Sequence, residues 1–377
     1  MRWLVIGLIL LPAQAFALPN MIRLGYVNCV TCHVSPQGGG LLNAYGRGID
    51  AAQSLAAGEY QPNSNRFLSA LSIKGRIDQD VRAVPSMALS HTPGGPYTTV
   101  DLGRFFYRNA TTLGKGFRVS AIVNGENESS PRKAKPYDPI IKPGHVLVTS
   151  ALLQYRPVEG VEFAAGRDPL PTGINISDQS TFIKARNRLG YYDTPSQAKA
   201  FFWGKRWLAT PFVFMPGGNE PVAARERGEG MIAEYDLLGR GATVAGVNVT
   251  RGTDRIGHRL VTGAYTRLGF GKWGILAEHD VTTRHLNNPQ VPQGFRQQTS
   301  YAQLFLYPRE WFLLAAVTER LTVQRPYAES LWAYKAEASM RLSSNWTLAL
   351  RSGAQRDALS GKWTPIASVQ FSAKTVN

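Results

Sequence analysis

Both cysteines of the chain, Cys29 and Cys32, belong to one run, Cys29-Val30-Thr31-Cys32-His33. This C-x-x-C-H spacing is the attachment signature of a c-type haem. Two thiols three positions apart can each add to one vinyl group of the porphyrin. The histidine that follows then gives iron its proximal nitrogen. A structural zinc site would call for two more ligands of the same kind, and no other cysteine exists. A thioredoxin-like pair would have no use for His33. One covalent haem c is the expected cofactor. A sixth ligand, if present, must come from farther along, because no Met or His lies between His33 and Met87. The candidates are Met87 and His91, in a loop expected over Val84 to Gly95, and His145. Tyr45 and Arg47 are the candidates to bond the haem propionates.

The elements that must hold this group start at once. Residues 1–17 read as a secretory signal: Arg2 gives the charged start, Trp3 to Leu11 the apolar core, and Ala15-Phe16-Ala17 the cleavage site. That core falls short of the roughly 20 apolar residues of a membrane-crossing helix. Residues 18–64 form the monohaem cytochrome c segment. After a Gly-rich turn, Pro36-Gln37-Gly38-Gly39-Gly40, the apolar positions Leu42, Tyr45, Ile49, Ala52 and Leu55 follow helical spacing, with Gly58 as the C-cap. A unit of about 40 residues cannot bury a haem alone. The segment is therefore expected to dock as a plug into the rest of the chain.

Residues 65–377 read as strand after strand. Pieces of about ten residues with period-two patterning are separated by Gly, Pro, Asn and Asp clusters, as an outer-membrane barrel requires. Clear cases are Phe117 to Val123, Val146 to Tyr155, Val161 to Arg167, Ala242 to Arg251, Arg259 to Leu268 and Trp273 to Val281. Ser300 to Tyr307, Phe312 to Val323, Ser330 to Leu342, Trp346 to Gln355 and Thr364 to Ala373 continue the pattern. Weaker pieces at Ser69 to Val81, Val100 to Ala110, Lys199 to Trp207, Phe212 to Met215 and Met231 to Leu237 bring the count to about sixteen. Tyr155, Trp207, Tyr265, Trp273, Tyr307, Trp311, Trp346 and Trp363 recur near strand ends, where aromatic girdles sit. Leu268-Gly269-Phe270-Gly271-Lys272 and Ser343-Ser344-Asn345 are expected as tight periplasmic turns. Glu126 to Gly144 and Leu286 to Gly294 are expected as surface loops. The fold class is mainly β, an antiparallel outer-membrane barrel with a small N-terminal α-helical haem plug.

Lys and Arg number 42 against 26 Asp and Glu, a net charge of +16. In an exported haem protein this excess suits a pore lining or lipid phosphates, and nucleic acid is not an expected partner. Cys29, Cys32 and His33 are followed by Leu42-Asn43-Ala44-Tyr45-Gly46-Arg47, and together they resemble the fused monohaem c-type cytochrome–porins of the outer membrane, of the iron-oxidase type. In that family one C-x-x-C-H follows the signal peptide, then a short helical plug and a single porin-like barrel. The resemblance implies an electron conduit in the outer membrane of a Gram-negative bacterium. An extracellular donor such as Fe(II) would supply electrons and a periplasmic electron carrier would remove them, an iron(II):cytochrome oxidoreductase chemistry. The residues by themselves leave two other functions open: a haem-plugged anion-selective porin, and an exported haem-based sensor domain.

Overall fold

A computed structural model describes residues 19–26, 29–38, 41–56, 77–92, 95–125, 146–176, 181–185, 187, 194–217, 225–287, 294–325, 328–343, 345–356 and 361–376. Sixteen strands, each antiparallel to its neighbours, close into one barrel, with β1 pairing both β2 and β16. The first half runs β1 (Ile77–Thr92), β2 (Gly95–Gly114), β3 (Phe117–Gly125), β4 (Val146–Val158), β5 (Val161–Arg167), β6 (Ser196–Trp203), β7 (Trp207–Met215) and β8 (Arg227–Asp236). The second runs β9 (Thr243–Asp254), β10 (Gly257–Phe270), β11 (Trp273–Leu286), β12 (Phe295–Arg309), β13 (Phe312–Arg325), β14 (Glu329–Arg341), β15 (Trp346–Arg356) and β16 (Trp363–Val376). The signal read at 1–17, His145 and the loop at Glu126 to Gly144 lie outside the described residues.

Period-two patterning works as the sequence suggests. On β12, Gln303, Phe305 and Tyr307 are buried on the inner wall, whereas Leu304 and Leu306 face outward and are exposed. The inner wall is polar and largely ion-paired: Arg156 with Glu162 at 2.6 Å, Arg259 with Glu226 at 2.6 Å, Lys335 with Glu319 at 2.5 Å and Arg351 with Glu337 at 3.1 Å. Two ends differ. The turns Lys115-Gly116, Glu159-Gly160, Gly271-Lys272 and Glu310-Trp311 are tight and share one end, at which β1 begins and β16 finishes. The β3–β4, β5–β6 and β11–β12 connections lie at the other end and are longer.

Four expectations are corrected. The loop read at Val84 to Gly95 is mostly strand, because Pro85 sits at a register shift between Val84 and Ser86 and so breaks no ladder. The single strand read over Lys199 to Trp207 is the end of β6, a turn at Gly204, and the start of β7; Gly204 N donates to Trp207 O at 2.9 Å. Tyr265 and Tyr307, read as girdle residues, point inward and are buried, while Trp207, Trp273, Trp346 and Trp363 stand exposed on the outside. The N-terminal helix, α1 (Ala44–Ala52), ends at Gln53 and does not reach Leu55. Leu55 N and Ala56 N donate instead to Arg341 O and Leu342 O of the β14–β15 turn, at 2.7 and 3.1 Å. Bonds to the barrel replace further helical bonds.

The lumen holds two insertions. The N-terminal segment enters from the tight-turn end, where Ile22 joins a buried cluster with Leu276, Phe305 and Leu313. The β5–β6 connection, carrying the short helix α2 (Phe182–Ala185), crosses to the opposite wall. Its Ile174, Ile176 and Ile183 pack into that same cluster, and Phe182 packs on Leu321 and Leu331. Backbone groups of the connection are caught by wall carboxylates: Ile174 N donates to Glu278 and Phe182 N to Glu319, both at 2.7 Å. Asn187 donates to Asp280 at 2.8 Å.

Candidate functional site

Cys29 to Thr31 form one 3-10 turn, which His33 N and Cys32 N close by donating to Cys29 O at 2.9 and 3.2 Å. The chain then doubles back. His33 forms an isolated bridge with Leu42, Val34 N donates to Leu41 O at 3.0 Å, and Asn43 N donates to Cys32 O at 2.9 Å. Asn43 caps α1 by accepting from Gly46 N at 2.9 Å, and its amide donates to Thr31 O at 3.0 Å. Gly46 lies against Cys32 so closely that a Cβ would overlap the Cys32 carbonyl oxygen. Gly38, at φ +76°, passes Cys29 so that a Cβ would stand 2.8 Å from the sulfur. The Leu42-Asn43-Gly46 stretch is thus the clamp that shapes Cys29 to His33.

Cys29 and His33 line one cavity of about 190 Å³ between plug and wall. Leu152, Phe201 and Ile232 give it apolar sides, and Arg267 and Lys184 give it two cations. Arg267 Nη1 donates toward Cys29 Sγ at 3.9 Å and is paired with Glu234, which also accepts from the Tyr265 hydroxyl at 2.7 Å. Both cysteines are free thiols. Burial raises the pKa of Cys29 against the opposing pull of Arg267, and burial raises that of Cys32, with Cys29 adding to it. Burial also pushes the Lys184 ammonium below the ordinary lysine value, with Glu278 and Asp280 opposing.

The plug is tied to the wall at several points. Arg118 donates to Val34 O at 3.2 Å, and Lys199 donates to Gln37 at 2.7 Å and to Asp168 at 2.5 Å. Arg23 pairs with Glu310, and Arg341 with Asp50 at 3.4 Å. Arg47, expected at the propionates, is buried against β1, where it pairs with Asp78 at 2.7 Å and donates to Leu42 O. Tyr45 is half-exposed and shares a 2.5 Å hydroxyl contact with Tyr26. Neither lines the cavity with Cys29 and His33. Met87 and His91 lie on β1, nine and thirteen residues beyond Asp78, the partner of Arg47. Sequence reading missed Arg267, Glu234 and Lys184. Arg267 and Tyr265 share one face of β10, and reading Tyr265 as a girdle residue hid that this face is the lumen.

The donor set matches the attachment chemistry of a haem c: Cys29 and His33 line one cavity with apolar sides, Cys32 lies buried in the same turn, and Gly38 and Gly46 let the backbone pack directly against the two cysteines. Among the described residues no group of three or more His, Cys, Asp and Glu side chains could hold a bare metal ion.

The fold has solved counterparts. OmpT of Vibrio cholerae, from the outer membrane, superposes with a TM-score of 0.58 at 10% identity, covering 81% of this chain and 99% of that one. OprB of Pseudomonas putida at high pH gives 0.59 at 9% identity, covering 80% and 94%. An anion-selective porin from Comamonas acidovorans gives 0.57 at 9% identity, covering 79% and 100%. No protein-family model and no curated protein matches the chain. At these identities the likeness establishes the fold: a porin-like barrel of the outer-membrane kind.

Proposed function

We infer that this chain is an outer-membrane barrel that carries one covalent c-type haem on its N-terminal plug and transfers electrons across the membrane. The donor would be extracellular, Fe(II) by the resemblance, and the acceptor a periplasmic carrier. The observation that carries this reading is the placing of Cys29 and His33 at one cavity inside the barrel, with Cys32 in the same turn. When bound, the haem supplies a one-electron iron couple. Cys29 and Cys32 would hold it by thioethers and His33 by its proximal nitrogen. Leu152, Phe201 and Ile232 give the cavity an apolar lining, which together with the buried Arg267 would bear on the potential. Short turns face the periplasm in such barrels, so the plug enters from the side on which a periplasmic carrier docks.

A second reading, the haem-plugged anion-selective porin, is favoured by the barrel's likeness to an anion-selective porin and by the net charge of +16. Two features weigh against a wide pore. The plug and the β5–β6 connection pack together inside the lumen, and many inner-wall cations are paired with carboxylates. Paired charge does not act as bare positive lining. The test is purification in detergent from cells that mature c-type cytochromes, followed by intact mass and an alkaline pyridine haemochrome spectrum. One haem per chain supports the reading. Free thiols at Cys29 and Cys32 with anion-selective conductance in a planar bilayer would replace it with the porin.

A further inference from the structure

We propose that His258 and His285 form a divalent-metal site on the outer rim of the barrel, at the end that carries the long loops. They are directly paired residues of β10 and β11, and both are exposed. Their rings stack with centroids 4.9 Å apart and an interplanar angle of 26°. Metal–imidazole bonds are about 2.1 Å long, so one ion between the rings needs nitrogens about 3–4 Å apart, within reach of small ring rotations. The placement is fixed from inside the barrel. Arg259, next to His258, is held in the lumen by Glu226 at 2.6 Å. Arg284, next to His285, is held by Asp254, whose other bonds, from Ile256 N at 2.9 Å and Gly257 N at 3.0 Å, set the β9–β10 turn. With both arginines locked inward, strand alternation puts both imidazoles on the same outer face.

The ligand class is a borderline divalent ion of the nickel, copper or zinc kind, with water completing its shell. The site stands independently of haem at Cys29 and Cys32. The test uses the full-length chain in detergent, titrated calorimetrically with Ni(II) and examined by electron paramagnetic resonance with Cu(II). The wild type should bind one ion with nitrogen hyperfine structure. His258→Ala and His285→Ala should each weaken binding by tenfold or more. His279→Ala, six residues away on β11, should leave it unchanged. Binding that survives both rim substitutions, or no stoichiometric binding by the wild type, overturns the proposal.

Discussion

At the residue scale, the proposed function rests on three side chains within five positions, Cys29, Cys32 and His33, which their local spacing alone singles out. Replacing both Cys29 and Cys32 by Ala should abolish covalent haem, read as loss of the haem mass from the intact chain. His33→Ala should keep the thioethers and change the Soret spectrum. In haem-free chains the raised thiol pKa values place the reactive thiolates above the ordinary range of about 8.5. Iodoacetamide labelling should therefore rise only at higher pH, while haem-loaded protein should show no reactive thiol at any pH. Arg267→Gln removes the cation beside Cys29 and leaves Glu234 unpaired. The midpoint potential should fall, and an unchanged potential in potentiometric titration would deny Arg267 that role. Its place was not legible, since 238 residues separate it from Cys29 and parity gives a face without a depth. Tyr45 and Arg47, the candidates for the propionates, stand on either side of Gly46. Gly46 takes the position against Cys32, and that turns Arg47 toward β1 and Tyr45 to solvent.

At the element scale, the strands announced themselves by alternation and glycine-rich turns, so their number could be read. The β5–β6 connection could not. Its Ile174, Ile176, Phe182 and Ile183 look like stray apolar residues in a loop, and only closure of the barrel brings β11 to β13 opposite them. Glu278→Ala would strand the buried Ile174 amide, a cost of about 1–3 kcal/mol. Combined with Glu319→Ala, it should loosen the connection, speed its proteolysis and raise single-channel conductance. Unaltered proteolysis and conductance would mean that the wall carboxylates do not hold it. Gly46→Val should prevent α1 from closing on the attachment turn and lower the yield of haem-loaded protein, measured as the ratio of Soret to protein absorbance.

At the scale of the whole molecule, a closed barrel satisfies every ladder bond internally, which is what allows backbone to sit in hydrocarbon. The outward aromatic residues Trp207, Trp273, Trp346 and Trp363 mark its interfaces. Net charge was legible from composition, but its meaning was not, because the partners of Arg156, Arg259 and Lys335 emerge only when the strands are in register. The plug at the tight-turn end and the β5–β6 connection both occupy the lumen, and the proposed electron transfer asks for no wide solute path through it. The decisive measurement places the purified protein in liposomes loaded with a membrane-impermeant electron acceptor and adds Fe(II) outside. Reduction of the haem followed by reduction of the trapped acceptor is expected, abolished by Cys29→Ala together with Cys32→Ala. Haem that stays oxidised, or an acceptor that stays unreduced while the haem turns over, would contradict it.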